Sequence, residues 1–287
     1  MTEVEPPALS AAAPPDLHLQ PLAVGGHGWL HTSPEYALKR LVAAGFGDCF
    51  ALGKVWRDGE RGRHHNPEFT MLEWYRVGWD HLRLMDEVAE LLSSLLAPRH
   101  ALAAPERLTY QAAFERELGI DPHSVDEQTL VDAMAKLGLS AALAIDRDTK
   151  LDLLASHAVY PKLGHGRVTL LHDYPASQCM LARLRSRGAG TPAVAERFEC
   201  FVSGIELANG YHELSDAREQ RSRLDAAAAL RVTHGLPPMV LDERFLAALA
   251  HGLPDCAGVA LGFDRVVMLA LGLDHIDHAL AFPIERA

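Results

Sequence analysis

Residues 50–76 read FALGKVWRDGERGRHHNPEFTMLEWYR, and the ends of this stretch differ in kind from its middle. Val55 and Trp56 close a strand-like run that leads straight into Arg57. Phe69, Thr70, Met71, Leu72, Trp74 and Tyr75 make a second run of mostly β-forming residues. Between them lies a loop too rich in Arg, His and Gly to be core. Alternation along an extended strand puts Glu73 and Tyr75 on one face and Leu72 and Trp74 on the other. An arginine ending one strand, beside a carboxylate–phenol pair on its neighbour, can hold a phosphate and an ammonium side by side. The plainer alternative is a surface hairpin with a solvated loop.

Composition narrows the function classes. The chain has 287 residues, 48% of them hydrophobic, enough for one large core or two modest ones. Its 27 basic residues face 38 acidic ones, a formal charge of −11. That balance argues against broad binding to a nucleic-acid backbone and favours a protein or small-molecule partner. Cys49, Cys179, Cys200 and Cys256 lie far apart and form no CxxC pair, so reduced thiols are expected rather than zinc or disulfides. Sixteen histidines show no HExxH or comparable spacing and read as surface or hydrogen-bonding residues. The acidic, Pro/Ala-rich start lacks signal-peptide character, and no apolar run reaches the roughly 20 residues of a membrane span. A soluble cytoplasmic protein is the expectation.

Local signals place further elements. Residues 1–28 look like a disordered leader. Thr32-Ser33-Pro34-Glu35 predicts a helix start, with Ser33 as cap, Pro34 at the first helical position and an acid in the first turn. Tyr36, Leu38, Leu41 and Val42 give that helix its apolar side. Trp79, Leu82, Met85, Val88, Leu92 and Leu95 predict a packing helix ended by Pro98, and helical patterns recur around 110–118 and 126–137. Val168–Leu171 reads as a strand. In FECFVSGIELANGYHE (198–213), Asn209-Gly210 predicts a two-residue hairpin turn. That turn would set Glu206 opposite Glu213, a repulsive pair calling for a cation, and oxygen-only ligands favour Mg²⁺. Asp216 is placed to cap a helix from Ala217 to Arg231. Gly258 to Arg265 reads as a strand running into a buried helix.

Several of these stretches resemble the class II aminoacyl-tRNA synthetases, lysyl type, over essentially the whole chain. HNPEFTMLEWY (65–75) resembles their motif 2, GIELANGYHEL (204–214) their E-x-x-N-G-[FY]-x-E-L segment, and Gly258-x-x-x-Gly262-x-Asp264-Arg265 their motif 3. Glu3-Val4-Glu5-Pro6-Pro7 resembles the end of motif 1, without a counterpart for the long helix that normally precedes it. The resemblance implies one catalytic domain, residues 1–287, of α+β class: an antiparallel sheet flanked by helices. A mainly helical segment lies at about 99–170, and the anticodon-reading OB-fold is missing. It implies ATP and Mg²⁺ as cofactors, and motif 1 implies a homodimer. It further implies a catalytic set of Arg57, Glu206, Glu213 and Arg265, with Glu206 and Glu213 at the metal. ATP would meet Arg57, Asp58, Gly59, Glu60, Asn66, Phe69, Glu206, Leu207, Gly262 and Arg265. The amino acid would meet Ser33, Pro34, Glu35, Glu73, Tyr75, Asn209, Glu213 and Ala260.

Two departures point within the family. Ala260 stands where lysyl-tRNA synthetases usually carry glycine, which resembles the branch that ligates (R)-β-lysine onto elongation factor P. Gly59, followed by Glu60, stands where motif 2 usually has the acid that meets adenine. The implied activity is ATP-dependent activation of (R)-β-lysine or lysine and its transfer to a lysine of elongation factor P. A tRNA-directed lysyl transferase and a non-catalytic paralogue are the alternatives.

Overall fold

The computed structural model describes residues 1–17, 19–139 and 145–287; the junction after the 126–137 pattern therefore lies partly outside the described residues. In chain order come β1 (Thr2–Glu3), β2 (Leu9–Ser10), β3 (Ala23–Val24), β4 (Gly28–Leu30), α1 (Glu35–Ala43), β5 (Cys49–Trp56) and β6 (Glu68–Val77). Then follow α2 (His81–Leu96), β7 (Ala103–Thr109), α3 (Tyr110–Leu118), α4 (Glu127–Lys136), α5 (Arg147–Leu154), β8 (Arg167–Pro175), β9 (Leu184–Arg185), β10 (Val194–Val202) and β11 (Ile205–His212). The chain closes with α6 (Ala217–Thr233), α7 (Glu243–Gly252), β12 (Cys256–Gly262) and α8 (Phe263–Leu271). These elements fall into two compact units, residues 1–80 with 213–287 and residues 81–212.

In the first unit the strands run β1–β5–β6–β12. β5, β6 and β12 are antiparallel and β1 is parallel to β5, so the sheet is mixed rather than purely antiparallel. The face pairing read from TMLEWY holds: Glu73 and Tyr75, both 2% exposed, are joined by a 2.8 Å hydrogen bond, while on the other face Leu72 is half-buried and Trp74 is buried as well. Leu38, Val42, Cys49, Phe245, Leu246, Leu249 and Cys256 build the core under this sheet, with Tyr36 stacked on Phe245 at 4.2 Å. Asp264 pins the start of α8 to β6 by accepting a hydrogen bond from Thr70 N at 2.7 Å.

The first 28 residues are not a disordered leader. β2, β4 and β3 pair into a small sheet, and Asp58 N donates to Gln20 O at 2.7 Å. Arg231, fully buried on α6, explains the anchoring: its guanidinium donates to the Asp16 carbonyl, to Gln20 Oε1 and to Pro237 O. A buried guanidinium needs acceptors, and the supposed leader supplies two of them.

In the second unit the strands run β11–β10–β8–β7, with β9 beside β10 and only the β7–β8 pair parallel. Its core gathers Tyr110, Phe114, Leu130, Met134, Leu154, Leu171, Tyr174 and Phe201. Helices α3 and α4 fall where the periodicity put them, and α5 and β7 are additions. All four cysteines are free and buried. No helix among the described residues is long and apolar enough to cross a membrane.

The predicted hairpin turn is displaced. Asn209 and Gly210 lie within β11, paired with Glu199 and Phe198, and the strands turn instead at Ser203-Gly204. Both turn residues have positive φ (54° and 75°), the geometry of a two-residue turn matched to strand twist. Glu206 therefore pairs with Phe201 rather than with Glu213, and the opposed-carboxylate reason for a metal falls away. Asp216 caps α6 as expected, accepting from the N–H groups of Arg218 and Glu219. A Cβ on Gly204 would sit 3.1 Å from the Pro161 backbone at an unfavourable φ. Gly204→Ala is therefore expected to cost about 1–2 kcal/mol in urea unfolding, and an unchanged midpoint would move the turn elsewhere.

Candidate active site

In the first unit the helix-start motif, β6, β12 and the segment after β11 converge on one buried polar cluster. Glu73 Oε2 accepts the Ser33 hydroxyl at 2.6 Å, and Glu73 Oε1 accepts the Tyr75 hydroxyl at 2.8 Å. Ser33 also accepts from Glu35 N at 2.9 Å, so it ties the entry of α1 although Pro34, one residue later, holds the cap position. Gly258 faces Tyr75 across the β6–β12 pair, and Ala260 faces Glu73. A Cβ on Gly258 would lie 2.3 Å from the Tyr75 ring and 2.6 Å from Glu213 Oε1. What lies against this glycine is thus the protein's own phenol and carboxylate, which settle over bare backbone.

Lys39, not singled out from the sequence, organises the cluster. Its side chain is 1% exposed, and Nζ lies 2.5 Å from Glu35 Oε1 and 2.5 Å from Glu213 Oε2. Burial alone would lower the Lys39 ammonium, but the Glu213 and Glu35 carboxylates outweigh it and raise the group, so it stays protonated. The legible signal was the i, i+4 spacing of Glu35 and Lys39 on one helix face. Three carboxylates thus share the cluster with one ammonium.

Burial, with the Glu35 charge second, raises the Glu73 carboxyl to about 8. The Tyr75 phenol is driven well above its ordinary value by burial and by Glu73, and remains a donor. At neutral pH Glu73 is therefore largely protonated, and an arriving ammonium favours its ionised form. The arrangement can bind a cationic side chain.

The residues that the resemblance assigned to ATP are placed as follows. Arg57 lies over the Phe69 ring at 5.1 Å, donates from Nε to Thr32 O at 3.3 Å and meets Glu60 Oε1 at 3.4 Å. Glu60 is thus turned towards Arg57, while Asp58 and Gly59 hold the start of the loop, Gly59 with a φ of 74°. Arg265 donates to His64 O at 3.1 Å, and its Nη2 lies 2.6 Å from His65 Nε2. Asn66 is 5% exposed and engaged by protein, donating to Glu68 O and accepting from Ile284 N. Gly262 precedes the first turn of α8. In the second unit, Glu206, Leu207 and Asn209 lie on β11, and Asn209 Oδ1 is buried without a hydrogen-bond partner.

Glu73 also makes stability pH-dependent with a definite sign. Its folded carboxyl titrates near 8 and its unfolded one near 4.5, so between these values the folded state binds more protons. The contribution of Glu73 is neutral below pH 4.5 and destabilising as pH rises through 8. In Glu73→Gln that slope is expected to flatten, with a gain in Tm over the parent at pH 8.5 larger than at pH 5.5. Equal differences at the two pH values would contradict the assignment.

A sequence profile described as tRNA synthetases class II (D, K and N) matches residues 1–286. The chain is 50% identical, over 99% of its own length and 89% of the relative's, to the elongation factor P–(R)-β-lysine ligase of Salmonella dublin. The same identity and coverage hold for the proteins of that name from Salmonella enteritidis PT4 and Klebsiella pneumoniae strain 342. The chain belongs to the class II tRNA synthetase family, in the group that includes these ligases.

Proposed function

We propose that this enzyme activates (R)-β-lysine, or lysine, with ATP and ligates it to a lysine side chain of elongation factor P. The observation that carries the reading is the buried cluster in which Glu35, Glu73 and Glu213 gather around the Lys39 ammonium. Such a cluster has acid to spare for a diamino substrate, and relatives half identical over nearly the whole chain are named as ligases for (R)-β-lysine.

The first step is attack of the amino-acid carboxylate on the α-phosphorus of ATP. A P–O bond forms, the bond to the β-phosphate oxygen breaks, and pyrophosphate leaves with the electron pair. In the second step the neutral ε-amine of the acceptor lysine attacks the carbonyl carbon of the mixed anhydride. An amide forms, AMP leaves, and one proton passes to solvent. No side-chain nucleophile is needed, so rate comes from positioning and charge stabilisation.

Arg57 would meet the α-phosphate and Arg265 the far phosphates. Phe69, Asp58, Gly59, Glu60, Leu207 and Gly262 would frame the nucleotide, with Asn66 holding the loop. Ser33, Pro34, Glu35, Glu73, Tyr75, Asn209 and Ala260 would receive the amino acid, and the unpartnered Asn209 Oδ1 suits a donor from a ligand. The donor set fits Mg²⁺, since Glu206 and Glu213 offer only oxygen. Glu213 is already paired with Lys39. Bound there, Mg²⁺ would neutralise phosphate charge. The chain would act as a single class II catalytic domain, in a cytoplasmic homodimer.

The test combines the purified chain, ATP, Mg²⁺ and (R)-β-lysine with elongation factor P, followed by intact mass. The factor should gain one β-lysyl unit, and tRNA offered instead should gain none. Pyrophosphate exchange without transfer to the factor would overturn the acceptor, and no exchange with any amino acid would overturn the activation step. Arg57→Ala should lower amino-acid-dependent pyrophosphate exchange about 10²–10³-fold; unchanged exchange would remove Arg57 from the α-phosphate.

A further inference from the structure

A second polar cluster, within residues 81–212, has no part in the chemistry above. His81 opens α2, Glu196 lies on β10, and His212 ends β11. One side-chain ligand atom from each lies within 4.8 Å of the others. The pairing of Arg197 with Tyr211 brings Glu196 and His212 to adjacent positions, and Glu196 Oε2 lies 2.7 Å from His212 Nδ1. His81 and His212 face each other with ring centroids 6.1 Å apart and planes inclined by 22°.

His81 is the anomaly. It is 2% exposed, and neither ring nitrogen has a hydrogen-bond partner in the protein. A buried imidazole with two idle nitrogens loses its hydration and gains nothing in return. Apolar residues fill such positions at no such cost, so the histidine asks for a ligand.

The neighbouring charges suit a cation. A carboxylate only accepts, so His212 Nδ1 carries the proton of this bond, and a cation held by Nδ1 and Glu196 Oε2 together would take that proton's place. Arg185 donates to both oxygens of Asp173, at 2.6 and 2.7 Å, and its Nε lies 3.4 Å from Glu196 Oε1. One guanidinium against two carboxylates leaves the cluster with negative charge in excess. His172, beside Asp173 at 3.4 Å, adds a further imidazole near by.

We propose that His81, His212 and Glu196 form a binding site for a divalent transition-metal ion, with Zn²⁺ the best match. Two imidazoles and one carboxylate are a donor set that Zn²⁺ accepts and Mg²⁺ does not favour, with water completing the shell. Ligands on a tetrahedral zinc stand about 3.4 Å apart, so closing the observed spread takes about 1 Å of side-chain movement. The ion would clamp the first turn of α2 to the ends of β10 and β11, the strand that also carries Glu206, Leu207 and Asn209. Its role there is structural, separate from the oxygen-only Mg²⁺ ligands.

The test uses the full chain, stripped with chelator and then given one of two probes, Zn²⁺ or Co²⁺, in excess Mg²⁺ so that oxygen-only sites stay filled. After gel filtration about one zinc per chain should remain, Tm should rise, and Co²⁺ should give the visible absorption of a low-coordinate nitrogen–oxygen site. His81→Gln and Glu196→Gln should each lose the bound metal and the Tm response while keeping the parent circular dichroism. Less than stoichiometric zinc with no Co²⁺ spectrum in the parent chain would overturn the proposal, whatever the variants do. So would full metal retention in a folded His81→Gln.

Discussion

One buried ammonium holds the first unit's polar centre together. Lys39 Nζ sits between Glu35, one helical turn away, and Glu213, which the chain delivers from 174 residues further on. Removing that lysine would leave two carboxylates in a dry site, a loss on the order of 3–5 kcal/mol for a broken buried pair. The remaining contacts follow from this constraint. Glu213 must lie over Gly258, Gly258 must lack a Cβ, and the Tyr75 ring fills the space beside it. Tyr75 then donates its hydroxyl hydrogen bond to Glu73, whose other oxygen holds Ser33 and through it the entry of α1.

The same geometry connects stability to function. A site with three acids and one base is poorly balanced alone, and Glu73 responds by holding its proton. A substrate ammonium supplies the missing charge. An excess of acid over base in a buried cluster is the kind of local imbalance expected where a charged ligand binds. The β-sheet provides the rigidity: Glu73, Tyr75, Gly258 and Ala260 sit on two antiparallel strands in fixed register.

Much of this was legible in the residues and some was not. The TMLEWY alternation, the β12–α8 junction and the Asp216 cap are local signals, written within a few residues of where they act. Asn209-Gly210 misled because a stronger constraint, the pairing of buried strands around Ser203-Gly204, overrode a local turn preference. The opening segment looked disordered because its anchor, Arg231, lies more than 200 residues away. Lys39 hid among surface-type residues of an amphipathic helix, and only Glu213's position shows why it is buried. His81, Glu196 and His212 carry no spacing that a metal motif would flag, since three separate elements bring them together.

The central claim is that the acid cluster around Lys39 reads the substrate's ammonium and that Glu73 gives up its proton when it does. Titration calorimetry of (R)-β-lysine binding at pH 7, in two buffers of different ionisation enthalpy, measures that proton directly. The account predicts net proton release, up to about one per chain from a carboxyl near 8, and its loss in Glu73→Gln. Binding with the same heat in both buffers would contradict it.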